Sequence, residues 1–228
     1  MRKKLVIFPH AGAIRSNYQV LEGILKARFD VVFIDYEKLY KQYNIMNMDQ
    51  LVEQIKILLK DILDNEKLPA IFYGHSMGTY VLYALSSFLT ERYGVDKLVY
   101  SDVRPPQYYH AMELANMDKF QQNQILENQY DFSEEIRAIP PLFEYFKGRL
   151  LEDLLILDTM EDYVFQKPVI SKETKVLLLY SDYSASESLI DEWNRSIQTD
   201  EKIKSFYFKG GHYYFAEHSE RTVELISS

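Results

Sequence analysis

The sequence predicts an α/β protein: a mostly parallel central sheet flanked by helices, with a helical lid inserted between two strands. Three observations carry this expectation. Short runs rich in Val, Ile and Leu alternate with longer stretches of helical periodicity, the pattern of strand, crossover helix and returning parallel strand. One interval, residues 102–174, breaks that alternation with helix-like stretches and no strand-like run. The chain also has 228 residues, 47% of them apolar and 26% charged, enough for one substantial core.

The elements follow in order. Residues 5–8 (LVIF, ended by Pro9) and 31–34 are apolar runs of strand length. Residues 48–63 place Leu51, Ile55, Leu58, Leu59 and Ile62 at helical spacing. A third strand is expected at 70–73, an apolar helix at 77–92 and a fourth strand at 97–101. Residues 175–180 and 202–208 supply the fifth and sixth strands, and 215–226 a terminal helix. Between the fourth and fifth, stretches at 108–120, 121–129, 133–138, 141–147 and 150–160 form the expected lid over about 103–170. Without an internal repeat or a dividing linker, residues 1–228 are expected to form a single domain.

Composition excludes several kinds of chemistry. With 26 Lys and Arg against 34 Asp and Glu, the formal net charge of −8 disfavours nucleic acid and anionic membrane as partners. The chain has no cysteine, which rules out disulfides, thiolate metal sites and a cysteine nucleophile. The apolar run at 5–8 is too short for a signal-peptide core, and no stretch approaches the roughly 18 residues of a membrane span. A monomeric cytoplasmic protein is therefore expected.

Residues 70–73 lead directly into Gly74-His75-Ser76-Met77-Gly78 and then an apolar helix. This is G-x-S-x-G in its strand–turn–helix setting, where a tight turn lifts the serine hydroxyl above the sheet. A serine hydroxyl needs a base, and in this arrangement the histidine comes last in the chain. His212, in KGGHYYF after the last expected strand, is the candidate; His75, His110 and His218 are expected elsewhere. An oxyanion hole needs two backbone N–H groups, one from the residue after the nucleophile and one from the loop after the first strand. Met77 supplies the first and Ala11, in FPHAGA, the second. Five of the eight glycines (Gly12, Gly74, Gly78, Gly210 and Gly211) fall in these three segments. No metal or organic cofactor is required by this chemistry.

Together, FPHAGA, GHSMG and GGHYYF resemble the signatures FPxAGG, GHSMG and GGHFF of the type II thioesterases that accompany nonribosomal peptide and polyketide synthases. SDVRPP at 101–106 and LLEDLLILDTMEDY before the fifth strand are similar to further segments of that family. The resemblance implies the α/β-hydrolase fold and a Ser-His-Asp triad. It implies a substrate class too: acyl or aminoacyl thioesters on the phosphopantetheine arm of an acyl or peptidyl carrier protein, hydrolysed to clear misprimed or stalled synthases. The aromatic lid residues Phe120, Phe132, Phe143, Tyr145 and Phe146, with Leu150, would roof an acyl pocket. Two other functions remain open: a carboxylesterase acting on free small esters, and a non-catalytic binding protein on the hydrolase fold.

The chain departs from the family in two places. Where the family carries a Pro-Gly turn after the second strand, this sequence has DYEKLYKQY at 35–43, a segment expected at the substrate entrance. The acid is the second departure. The family's G-x-x-D after the fifth strand would put the triad aspartate at Ser184, counting from Ser181. A small slip in register brings in Asp182, the favoured acid; Asp102, directly after the fourth strand, is the alternative.

Overall fold

A computed structural model describes residues 2–66, 68–130, 132–200 and 202–228. Six strands, β1 (Lys4–Phe8), β2 (Asp30–Phe33), β3 (Ala70–His75), β4 (Val95–Ser101), β5 (Lys175–Ser181) and β6 (Lys204–Phe208), pair in the order β2-β1-β3-β4-β5-β6. Every pairing is parallel. Side chains alternate across the sheet, so each strand feeds two cores. Leu5, Ile7, Ile71, Tyr73, Val99, Leu177 and Leu179 pack on one face with α1 (Gln19–Leu25) and the C-terminal helices. Val6, Phe8, Phe72, Leu98, Tyr100, Val176 and Leu178 pack on the other, against most of the remaining helices.

Strand order reverses between β1 and β3, and the register Phe8↔Gly74 brings their carboxyl ends level. In open parallel sheets the crevice beyond such a reversal is where ligands bind, because the connections diverge to opposite faces there. FPHAGA and GHSMG are the segments that leave those two strand ends.

Beyond α1 come α2 (Tyr36–Tyr43), α3 (Met48–Leu63) and α4 (Met77–Arg92). The lid between β4 and β5 holds α5 (Lys119–Gln129), α6 (Glu134–Arg137), α7 (Pro140–Leu157) and α8 (Glu161–Val164). Then follow α9 (Leu189–Ser196), α10 (Tyr214–Glu217) and α11 (Ser219–Ser227). Several expectations change. The expected helix at 108–120 is two 3-10 turns, Pro106–Tyr108 and Leu114–Asn116, which the Asp158 carboxylate organises by accepting from the Met112 and Leu114 N–H groups. The expected helices at 141–147 and 150–160 merge into α7, because Pro140 starts it where no N–H is needed and Gly148 sits on an exposed face.

The sequence pattern does not mark helices α1, α2 and α9. Their apolar stripes are short, and α2 is mostly Tyr, Lys and Gln. Its end signals are nevertheless local: Lys38 N–H donates to the Asp35 side chain at the start, and Asn44 closes it with φ 50°.

Candidate active site

Ser76 joins β3 to α4 with φ 55° and ψ −121°, a backbone conformation that non-glycine residues rarely adopt. The two flanking glycines make this turn possible. A Cβ on Gly78 would stand 1.9 Å from the Phe8 carbonyl oxygen, and one on Gly74 would stand 2.4 Å from the Gly78 oxygen. The strained turn is also held by neighbours. Ser76 N–H donates to the Ser101 carbonyl at 2.9 Å, and the Thr79 hydroxyl bonds the Gly74 carbonyl at 2.8 Å.

His212 lies in the loop after β6, where Gly210 adopts φ 130°. Its Nδ1 is 2.9 Å from Oδ2 of Asp102, the residue directly after β4. Asp102 is fully buried and accepts three further hydrogen-bond donors: the Ser181 N–H at 2.7 Å, the Ser181 hydroxyl at 2.8 Å and the Ser184 hydroxyl at 2.6 Å. A buried carboxylate with its lone pairs filled in this way tolerates the loss of water. Asp102 itself has φ 59°, a second strained position beside the first. Ser76, Met77, Ala11, His10 and His212 all line one cavity of about 980 Å³ beyond the carboxyl edge of the sheet.

The thioesterase domain family matches residues 3–228. The chain belongs to this family of hydrolases. No curated protein matches it. Among solved structures, the type II thioesterase BorB from the borrelidin biosynthetic cluster superposes with a TM-score of 0.77 at 19% identity, covering 100% of this chain and 92% of that one. ClbQ from the colibactin nonribosomal peptide and polyketide pathway gives 0.77 at 16% identity, covering 99% and 95%. RedJ, a thioesterase of the prodiginine pathway in Streptomyces coelicolor, gives 0.75 at 18% identity, covering 98% and 83%. At these identities the likeness is one of fold, and that fold is the α/β-hydrolase fold expected from the sequence.

In this thioesterase-family chain the structure sets Asp102, not the favoured Asp182, against His212. Asp182 does not meet His212: its carboxylate accepts from the Tyr207 hydroxyl and, at 2.9 Å, from the Gly210 N–H. These donors hold its carboxyl below the usual carboxylate range. The reason is the pleat of the strand. Ser181, the last residue of β5, turns its hydroxyl inward to Asp102, so the next side chain points away, toward β6 and the Gly210 loop. Asp182 therefore braces the loop that carries His212 without touching the imidazole. Ser184, at the position of the family's acid, sits beside the other oxygen of the carboxylate that His212 does meet.

Both residues expected to supply the oxyanion donors line the cavity. Met77 is the first residue of α4, so its N–H lies outside the intrahelical ladder, and Ala11 faces the same cavity. Two buried histidines surround the base. His75 gives one ring nitrogen to the Ser101 hydroxyl at 2.8 Å, which in turn meets the Tyr214 hydroxyl at 2.5 Å; its ring centre is 5.0 Å from that of His212. Burial, with His212 nearby, holds its pKa well below the ordinary value. His10, a residue sequence reasoning passed over inside FPHAGA, is held down to about 3 for the same reasons, and its Nδ1 meets the Tyr18 hydroxyl at 2.9 Å. Both imidazoles stay neutral beside His212. His218 bonds the Lys209 carbonyl, and His110 lines the rim of the cavity.

None of the lid residues expected to roof an acyl pocket lines the large cavity. Tyr109, Met112, Tyr130, Leu154 and Leu157 line the large cavity. Phe132, Phe146 and Leu150 line a smaller one of about 330 Å³ on the other side of His10 and Ala11. Phe120 is 68% exposed, while Phe143 packs edge-on against Phe132. Among the described residues, no group of three metal-binding side chains converges and no helix is long and apolar enough to cross a membrane.

Proposed function

We propose that this chain is a type II thioesterase that hydrolyses acyl or aminoacyl thioesters from the phosphopantetheine arm of carrier proteins, clearing misprimed or stalled units from a cytoplasmic synthase. One observation carries the reading: His212 is hydrogen-bonded to a buried aspartate and opens onto the same cavity as Ser76 on its strained elbow. The triad is then Ser76, His212 and Asp102.

The steps follow from the placement. Asp102 accepts a hydrogen bond from the Nδ1–H of His212 and stays ionised, which leaves Nε2 free to take the Ser76 proton. The serine oxygen attacks the thioester carbonyl, and the Met77 and Ala11 N–H groups stabilise the oxyanion. The carbon–sulfur bond breaks, His212 returns its proton to the departing thiolate, and the acyl group stays on Ser76. Water, deprotonated by His212, then releases the acid and regenerates the serine. The neutral His10 and His75 place no positive charge beside the His212 imidazole. The tyrosine-rich cavity of about 980 Å³ is of a size for a short acyl group together with the end of the pantetheine arm.

The deciding experiment is hydrolysis of an acetyl-phosphopantetheinyl carrier protein by wild type and Ser76→Ala, followed by intact-protein mass spectrometry. Rapid release that depends on Ser76 supports the reading. Absence of release alongside good turnover of p-nitrophenyl acetate overturns it in favour of a small-ester carboxylesterase.

A further inference from the structure

The lid helix α7 carries a buried acid that belongs neither to the triad nor to a surface ion pair. Asp153 is 2% exposed, and each of its oxygens is engaged by a different element. Oδ2 accepts the Gly12 N–H at 2.6 Å, and Oδ1 accepts the Tyr40 hydroxyl of α2 at 2.6 Å. Gly12, at φ 74°, is the neighbour of the oxyanion donor Ala11. One turn earlier on α7, Arg149 donates to the Ala13 carbonyl at 2.8 Å and pairs with Glu37 of α2. The loop after β1 is thus gripped on both sides of Ala11–Gly12 by one face of the lid helix. That face is anchored by α2, the segment that stands where the resembled family has a Pro-Gly turn.

Burial raises the Asp153 carboxyl to about 6, against the lowering pull of Tyr40, the Gly12 N–H and Arg149. Tyr36 and Tyr40 on α2, Arg149 and Glu152 on α7, and Glu37 through Arg149 are the ionisable groups around it. A folded-state value above the ordinary one means that the folded protein binds more protons between about pH 4 and 6. Stability contributed by this group is therefore lost as pH rises through that window. An ionised Asp153 is unfavourable for folding at neutral pH, yet both of its acceptor oxygens are used to place a loop.

We propose that Asp153 is a positioning residue for the oxyanion loop, so that seating of the lid helix and assembly of the oxyanion hole are one event. The inference rests on the serine-hydrolase reading above, though not on the identity of the substrate. A lid helix displaced from α2 releases the Gly12 N–H and lets Ala11 drift from the oxyanion position. Its hydrogen bonds act on the chemical step and leave the rest of the cavity in place.

The test compares Asp153→Ala, Asp153→Asn and Tyr40→Phe with wild type, using p-nitrophenyl acetate, acetyl-carrier hydrolysis and the rate at which a fluorophosphonate labels Ser76. Asp153→Ala should lower kcat and the labelling rate by about 10- to 100-fold with KM changed less than about threefold, since loss of an oxyanion donor costs 100-fold or more. Asp153→Asn keeps an acceptor for Gly12, so it should recover much of that loss. Retention of wild-type kcat by a folded Asp153→Ala overturns the proposal. So does an alanine variant whose loss the asparagine variant shares in full. Wild type that labels and turns over the aryl ester but spares the carrier thioester overturns only the thioesterase reading, and wild type that fails to label overturns both.

Discussion

His212 Nδ1 and Asp102 Oδ2 stand 2.9 Å apart although 110 residues separate them in the chain. They meet because β4 and β5 pair side by side, with Ser101 opposite Leu179, and the loop after β6 folds back over their ends. Removing the acid tests this pair directly. Asp102→Asn should lower kcat by about 10⁴-fold through loss of the productive imidazole tautomer. Asp182→Asn weakens only a brace of the Gly210 loop and should stay within about fivefold of wild type. Steady-state kinetics on one ester with both variants separates the two aspartates; equal losses would mean that the pairing with Asp102 is not the working one.

Ser184 leads to a second expectation. Its hydroxyl is 2.6 Å from the Asp102 oxygen that His212 does not use, so a carboxylate grown from position 184 would reach the same space. In an Asp102→Ser background, Ser184→Asp should restore activity by about 10-fold or more, part of the roughly 10⁴-fold that a triad acid supplies. A double variant no better than Asp102→Ser alone would show that the backbone at 184 cannot aim an acid at His212.

Glycine substitutions should divide sharply by place. Gly78→Ala puts a methyl 1.9 Å from the Phe8 oxygen, and the sheet and α4 cannot both keep their positions, so loss of activity with a lowered melting temperature is expected. Gly148→Ala meets nothing within 4 Å on an exposed face of α7. It should add about 1 kcal/mol, or roughly 2–4 °C in Tm, by removing backbone freedom from the unfolded chain. Differential scanning calorimetry of the two variants checks both.

Lys97 predicts a rise in stability with alkali. Its ammonium is buried in β4, donating to the Leu225 and Ile226 carbonyls at the end of α11 at 3.1 and 2.9 Å. Burial, aided by Lys175, lowers its pKa to about 8. Between about pH 8 and the ordinary lysine value, the unfolded chain binds more protons than the folded one, so this group's contribution to stability increases with pH. Urea midpoints at pH 7.5 and 9.5 should therefore diverge between wild type and Lys97→Met, with the wild type gaining relative to the variant. Parallel behaviour of the two would mean that Lys97 stays charged in the fold.

Much of this protein was legible from local pattern alone. The six strands, the two major helices α3 and α4, the elbow around Ser76 and the loop of His212 each depend on a few consecutive residues. Their cause is steric: a Cβ on Gly74 would strike Gly78 within the same turn, and one on Gly78 would strike the end of the neighbouring strand at Phe8. Short helices were less legible, because α1, α2 and α9 have too few turns for periodicity to stand out. The end signals of α2, Asp35 and Asn44, were its readable trace.

The tertiary structure decided what depends on which way a side chain faces after distant strands have paired. Asp102 and Asp182 each follow a strand end beside the site, and spacing alone favoured the one that does not meet His212. The inward turn of Ser181 sends the Asp182 side chain away from His212, since successive residues of a strand point to opposite sides. Asp153 lay beyond sequence reasoning for a related reason. Its partners Gly12 and Tyr40 are 141 and 113 residues away, and nothing in a helix of leucines and acids distinguishes the one carboxylate that folding buries.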